Sequence, residues 1–284
     1  MVGLYEKLFL SGMVLLVLLS CPITEKLGGN GGGKGTDFFG TGGLENGLDE
    51  ELGSGGGSLV NPAAYMLSLC PEIKTTRWRQ MCEAVFSMDA RKCETQRQYA
   101  MKEGCESAIA AVKKDPSLCE SINPYITGID HNGNIVDTTF KTDCYGQYAV
   151  ATLDESYCGK AVSKTDCEYL IKFEKKEISL EQCKGDSVCL WRYAKYTKDK
   201  RACEQLKPGF AGADPKAECM AMITGDERYC DNIESIDSKY HCIGMARATK
   251  ALESEGVFLI KECKGNSDCE MEVFDQMVKW AARN

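Results

Sequence analysis

The sequence predicts an all-α fold over residues 61–284, built as disulfide-stapled antiparallel helix-pair repeats in the manner of an α/α solenoid. Three observations predict it. Cysteines recur in pairs at a period of roughly 28 residues, the hallmark of a repeat array. Apolar residues after the second cysteine of each pair fall at helical spacing, and strand-like alternation is nearly absent.

The chain begins with one basic residue, Lys7, and an apolar run from Leu8 to Leu19. That run is shorter than the roughly 20 residues a membrane span needs, and it suits the core of a signal peptide over residues 1–20. Leu18-Leu19-Ser20-Cys21 resembles a lipobox, in which a small residue precedes the cysteine whose thiol takes a diacylglycerol. An uncleaved N-terminal anchor, or an ordinary signal peptide with an incidental Cys21, is the alternative. Leu19 and Pro22 are larger than is usual beside such a cysteine. Parity favours lipidation, because removing Cys21 from the 17 cysteines leaves an even number.

Residues 21–60 form a tether. Between Gly28 and Ser58 stand 14 glycines, and glycine loses more backbone entropy on ordering than any other residue. As a coil this segment holds the following domain on the order of 30 Å from its anchor. Gly28 to Lys34 nearly spells a phosphate loop, but Gly35 stands where a magnesium-binding hydroxyl belongs and no strand precedes it, so it reads as chance. Phe38-Phe39 with Leu44, Leu48 and Leu52 could form a docking motif, though a featureless tether is the plainer reading.

The repeats follow. The repeat is degenerate: its opening motif is D-x-x-x-C-x-x-I/L, followed by a loop of variable length and a second cysteine. Asp89, Asp115, Asp154, Asp199 and Asp226 stand four residues before the first cysteine, with Ser179 in that place once. Such residues cap helix N-termini by accepting an orphan backbone N–H, and Pro116 suits the first helical position. After the second cysteine, Cys105, Ala108, Ile109 and Val112 form one stripe, as do Cys189, Leu190, Tyr193 and Ala194, and Cys242, Met245 and Ala246. Ala110, Ala149, Ala194 and Ala246 let neighbouring helices approach closely. Within a unit the two cysteines start consecutive helices, so the predicted disulfides are Cys70–Cys82, Cys93–Cys105, Cys119–Cys144, Cys158–Cys167, Cys183–Cys189, Cys203–Cys219, Cys230–Cys242 and Cys263–Cys269. The six-residue spacings of Cys183–Cys189 and Cys263–Cys269 demand a sharp turn, which Gly185 and Gly265 make feasible.

One insertion interrupts the helices. Residues 126–140 read as a β-hairpin turning on Asn132-Gly133. The run Asp130-His131-Asn132-Gly133-Asn134 begins like a calcium loop, but Ile135, Asp137 and Lys141 occupy positions that such a loop gives to glycine, an apolar residue and a bidentate acid.

The design resembles the Sel1-like disulfide-bridged α/α repeat proteins, and more closely surface lipoproteins of archaeal type with capped, cysteine-started helices. The resemblance covers residues 61–284 and implies no activity. The cysteine spacing and the D-x-x-x-C motif differ from the Sel1-like pattern, and its glycines are missing.

Composition excludes several functions. A formal charge of −8 argues against nucleic acid and against charge-driven docking on anionic lipid. With 17 cysteines and two histidines, the chain has no C-x-x-C redox pair, no zinc-type C-x2–4-C cluster and no copper-type C-x-x-x-C run. Structural disulfides in an oxidising compartment are therefore the expected use, with no metal and no cofactor. G-x-S-x-G and S-x-x-K are absent, so the chain is not expected to be an enzyme. Trp78, Trp191, Trp280, Tyr193 and Tyr196 read as core, or alternatively as a binding face on a concave stack. The expected function is an extracytoplasmic, membrane-tethered binding or adhesion scaffold. The membrane is its first partner, through a lipid or the N-terminal apolar segment, and a protein or surface polymer is its second. A structural envelope component, or an enzyme built on two converging carboxylates, is the alternative.

Overall fold

The computed structural model describes residues 61–95, 99–122, 127–129, 135–137, 140–207, 214–252, 254 and 256–284. They form α1 (Pro62–Leu69), α2 (Thr76–Phe86), α3 (Tyr99–Lys113), α4 (Phe140–Thr152), α5 (Lys164–Glu174), α6 (Ser187–Thr197), α7 (Lys200–Glu204), α8 (Pro215–Thr224), α9 (Ile236–Ala251) and α10 (Ser267–Arg283). Between α3 and α4, the short strands β1 (Thr127–Ile129) and β2 (Ile135–Asp137) pair antiparallel with Gly128 opposite Val136. The Asn132-Gly133 turn, the oxygen-rich run around His131, and the signal, Cys21 and tether residues lie outside the described residues.

Eight disulfides join the two cysteines of each unit, from Cys70–Cys82 to Cys263–Cys269, with Cα–Cα distances of 4.9 to 5.8 Å. Their spans are local, 6 to 25 residues. Every one of these cysteines is buried. In water a 10- to 17-residue helix is marginal by itself, and each clip fixes it against the preceding turn.

The first arm of a unit is shorter than the helix pair expected from the sequence. In seven units it is a 3-10 helix of 3 to 6 residues, and in the eighth it is the five-residue α7. In the units that open on an aspartate, that residue is the reason. It also ends the previous helix. Met88, Lys114 and Leu153 turn left-handed at φ 56, 55 and 60°, and the next residue's N–H reaches back five positions. Asp89 donates to the Ala84 carbonyl, Asp115 to Ala110 and Asp154 to Ala149 at 3.0 to 3.1 Å, the bond that closes a Schellman motif. The same aspartate then accepts the N–H two residues on, from Arg91, Ser117 and Ser156 respectively. One residue thus closes one helix and opens the next turn, leaving only a tight local turn before the loop.

Position +2 after the aspartate completes the motif. Arg91, Arg201 and Arg228 pair with Asp89, Asp199 and Asp226 through the guanidinium, while Ser117 and Ser156 donate their hydroxyls to Asp115 and Asp154. The Arg228 side chain and N–H hold Asp226 down to about 2. In the two shortest units the cap sits inside the disulfide loop. Gly185 and Gly265, at φ 84 and 79°, reverse the chain. Asp186 then accepts the N–H groups of Val188 and Cys189, and Asn266 those of Asp268 and Cys269.

The two ends of the array meet. α10 shares one apolar core with α1, α2, α3 and α4, where Trp78, Phe86, Ile109, Phe274 and Met277 are buried. Phe274 lies 6.2 Å from Trp78 and 6.1 Å from Phe86, and Tyr65 lies 6.1 Å from Trp280. Thr75 makes no side-chain cap for α2. Glu270, buried on α10, instead accepts the Lys74 and Thr75 N–H groups at 2.8 and 2.9 Å. A second core, around Phe173, Leu190 and Met222, fills the middle units.

Candidate functional site

α10 is amphipathic, but both of its faces are covered. Its apolar stripe of Phe274, Met277, Val278 and Ala281 enters the core shared by the two ends. The opposite stripe, Asp268, Glu272, Asp275, Lys279 and Arg283, meets α9 at Asp268 and the middle units through a network of ion pairs. Lys279 and Arg283 reach Glu174 of α5 at 2.8 and 3.0 Å, and Tyr196 of α6 donates to the same carboxylate at 2.8 Å. Lys279 also pairs with Asp275 at 2.7 Å, and Lys195 of α6 with Glu272 at 2.8 Å. Arg283 additionally donates to the Ala151 and Val150 carbonyls at the C-terminal end of α4, where a cation suits the helix dipole.

The charges are mutually stabilised. Burial pushes the Glu174 carboxyl up, but Lys279 and Arg283 outweigh it and hold the group at about 2. Burial works against the Lys279 and Lys195 ammonium groups, yet their carboxylate partners raise both. Such pairs add little net stability over apolar packing, but breaking one strands a buried charge. They therefore set how α10 is seated. The sequence carries a signal for this cluster, since acids and bases recur at 268, 272, 275, 279 and 283, one helical face. A charged stripe ordinarily reads as a solvated face, which is why it points to no site before the fold is known.

At the start of the same stripe His241 of α9 lies 3.0 Å, through Nδ1, from Oδ2 of Asp268. Gly244 makes this approach possible, because a Cβ there would stand 2.5 Å from Asn266 Oδ1 and 2.9 Å from the Asp268 Cβ. Asn266 and Ser267 also bond Tyr240 of α9. The other histidine, His131, lies outside the described residues.

Two acids converge on α3. Glu103 is 2% exposed, and its Oε2 has no hydrogen-bond partner. Burial, then the Glu106 carboxyl beside it, raises Glu103 to about 7. Carboxyl pairs of this kind serve acid–base catalysis where substrate can reach them; here Glu103 is buried, while Glu106 is half-buried beside Lys102. A surface cleft of about 390 Å³ lies elsewhere, lined by Lys114, Tyr148, Thr152, Leu153, Asp154, Ala282 and Arg283 at the C-terminal ends of α3, α4 and α10.

The aromatic residues divide. Trp78 is buried, while Trp191, Tyr193, Tyr196 and Trp280 pack half-buried against the two main cores. The chain matches no family model, no curated protein and no solved structure, so the reading of its function rests on its own residues.

Proposed function

We propose that this chain is a binding or adhesion scaffold displayed outside the cytoplasm and tethered to the membrane through a lipid on Cys21. The observation that carries the reading is the state of the cysteines. All sixteen after Cys21 are buried in local disulfides, which belong to an oxidising compartment. Thiols locked in this way are not available as metal ligands or nucleophiles. No helix among the described residues is long and apolar enough to cross a membrane, so attachment falls to the segment before Asn61. The stapled body is a rigid platform that resists unfolding at an exposed surface, and a glycine-rich leash lets such a platform search for partners near the membrane.

The full chain and its Cys21→Ser variant, compared by membrane fractionation, test the anchor. The wild type is expected in the membrane fraction, and the variant in the soluble extracytoplasmic fraction or as an unprocessed precursor. Unchanged membrane partitioning at mature size would refute lipidation. Cross-linking on intact envelopes tests the scaffold role. Adducts with another protein or a surface polymer are expected. Adducts only with further copies of this chain would make it a structural envelope component instead.

A further inference from the structure

We infer that His241 is a proton-operated latch that ties the first turns of α10 to α9 and α8, so that the seam between the last two units loosens as pH rises. The latch stands on geometry. His241 contacts Asp268 of α10 at 3.0 Å where Gly244 lets the N-cap of α10 settle on α9. Around the ring, Glu218 of α8 and Glu272 of α10 add two further carboxylates that attract the imidazolium. Lys195 of α6 answers Glu272. Nearby charges are engaged elsewhere: Glu227 pairs with Arg247 at 3.0 Å and approaches Lys250, and Lys239 reaches the Asp231 carbonyl. With His241 protonated, three cations, His241, Lys195 and Lys279, act on three acids, Asp268, Glu218 and Glu272. Without the proton, Lys195 and Lys279 remain, and both act on Glu272.

The direction follows from the balance at the ring. Burial disfavours the imidazolium, but the Asp268 hydrogen bond and charge, then Glu218 and Glu272, outweigh burial and raise its pKa above the ordinary value. A raised pKa means that protonation favours the folded seam. That stabilisation is fully present below about 6.5, the value of an unfolded histidine, and is lost as pH climbs through the folded value. Glu218 is itself pushed up by burial, so its ionisation adds a loss of the same sign. The other ties on α10, Lys195–Glu272 and Lys279–Glu174–Arg283, use groups that keep their charge across neutral pH. His241 is thus the one tie on this helix that a change around neutrality can release.

The chain has two histidines, so imidazole NMR of the full-length protein shows two titrations, and His131→Gln assigns them. His241 is expected to titrate above about 6.5, and Asp268→Asn to lower it. Hydrogen exchange, corrected for intrinsic rates, then reads the seam. Protection of the amides from Glu270 to Phe274 is expected to fall as pH rises, by up to about tenfold for each unit by which His241 exceeds its unfolded value. Amides of α5 remaining unchanged, and a flat profile in His241→Gln, support the latch. His241 titrating at or below about 6.5, or His241→Gln keeping the wild-type pH dependence, overturns it. If His241→Gln does not fold, the Asp268→Asn titration decides alone, and an unshifted His241 there refutes the proposal.

Discussion

Among the described residues, six other than glycine adopt positive φ: Met88, Lys114, Leu153, Lys176, Lys198 and Lys264. Five of them end long helices, where Gly225 does the same work at φ 71°. For a residue with a Cβ this conformation costs roughly 1 kcal/mol, whereas glycine adopts it freely. Lys114 is exposed and carries only the strain, so Lys114→Gly is expected to raise stability by about 0.5–1 kcal/mol. Gly225→Ala should cost about 1 kcal/mol for the mirror-image reason, and its new Cβ would also meet the Lys250 side chain at 3.2 Å. Urea unfolding of the two variants checks both signs, and a destabilised Lys114→Gly would count against the strain account. Five of the six capping sites place alanine five residues before the aspartate, at Ala84, Ala110, Ala149, Ala194 and Ala221, all fully buried. That A-x-x-x-x-D-x-x-x-C pattern is present in the sequence but passes unnoticed there, because alanine at a helix C-terminus is otherwise unremarked. Its meaning lies in the bond its carbonyl accepts, from the aspartate N–H at Ala84, Ala110 and Ala149 and from the Lys198 and Gly225 N–H groups at Ala194 and Ala221.

The element scale is governed by clips and caps. A disulfide stabilises chiefly by limiting the unfolded chain, and more so for longer loops. Cys119–Cys144 closes 25 residues and Cys183–Cys189 only six. Replacing each pair with alanine is therefore expected to cost about 3.5 kcal/mol for the first and about 2 kcal/mol for the second. Equal losses would mean that native-state packing, not the unfolded chain, controls the effect. The start of α2 tests a different device. Its two orphan N–H groups are satisfied by Glu270, almost 200 residues away in the sequence, with separations of 196 and 195. Glu270→Ala leaves both part-buried donors without their carboxylate partner, at about 1–2 kcal/mol for each. The expected loss is about 2–4 kcal/mol, with exchange accelerating first at α2 and not at the adjacent turn of α10. Uniform acceleration across the molecule would argue that Glu270 acts only through global packing.

At the scale of the whole molecule, an open stack and a closed one respond differently to truncation. In an open array each unit touches only its neighbours, so removing the last helix costs one interface. Here α10 fills the core of the first units and also pairs with the middle ones. Deleting residues 267–283 is therefore expected to strip protection from α2 and α3 as well as from α9. Loss confined to α9 and its neighbouring turn would show that the ends are independent. The exchange profile of the purified deletion variant against the full chain provides the measurement. Closure also changes what a partner could contact. The inner face that an open solenoid offers as a groove is occupied by α10, and the surface left to a partner is the outside of the units.

What the sequence determined by itself is local: the unit, its two cysteines, the capping aspartates and the helical stripe after each second cysteine. These were legible because every disulfide spans at most 25 residues and every aspartate cap bonds within a few positions, so their causes lie side by side in the chain. The same locality explains why the sequence overstates the length of the first arm, which is a short 3-10 helix in seven of the eight units. What the tertiary structure alone decided is the seating of α10. Its charged stripe looks solvated in sequence but is buried at Glu272 and Asp268, 5% and 8% exposed, and half-buried at Asp275, Lys279 and Arg283. No local pattern can announce that, because whether the ends meet depends on the small turn between successive units summed along the array. The salt bridges of α10, the Glu270 cap and the His241 contact exist only once that sum closes.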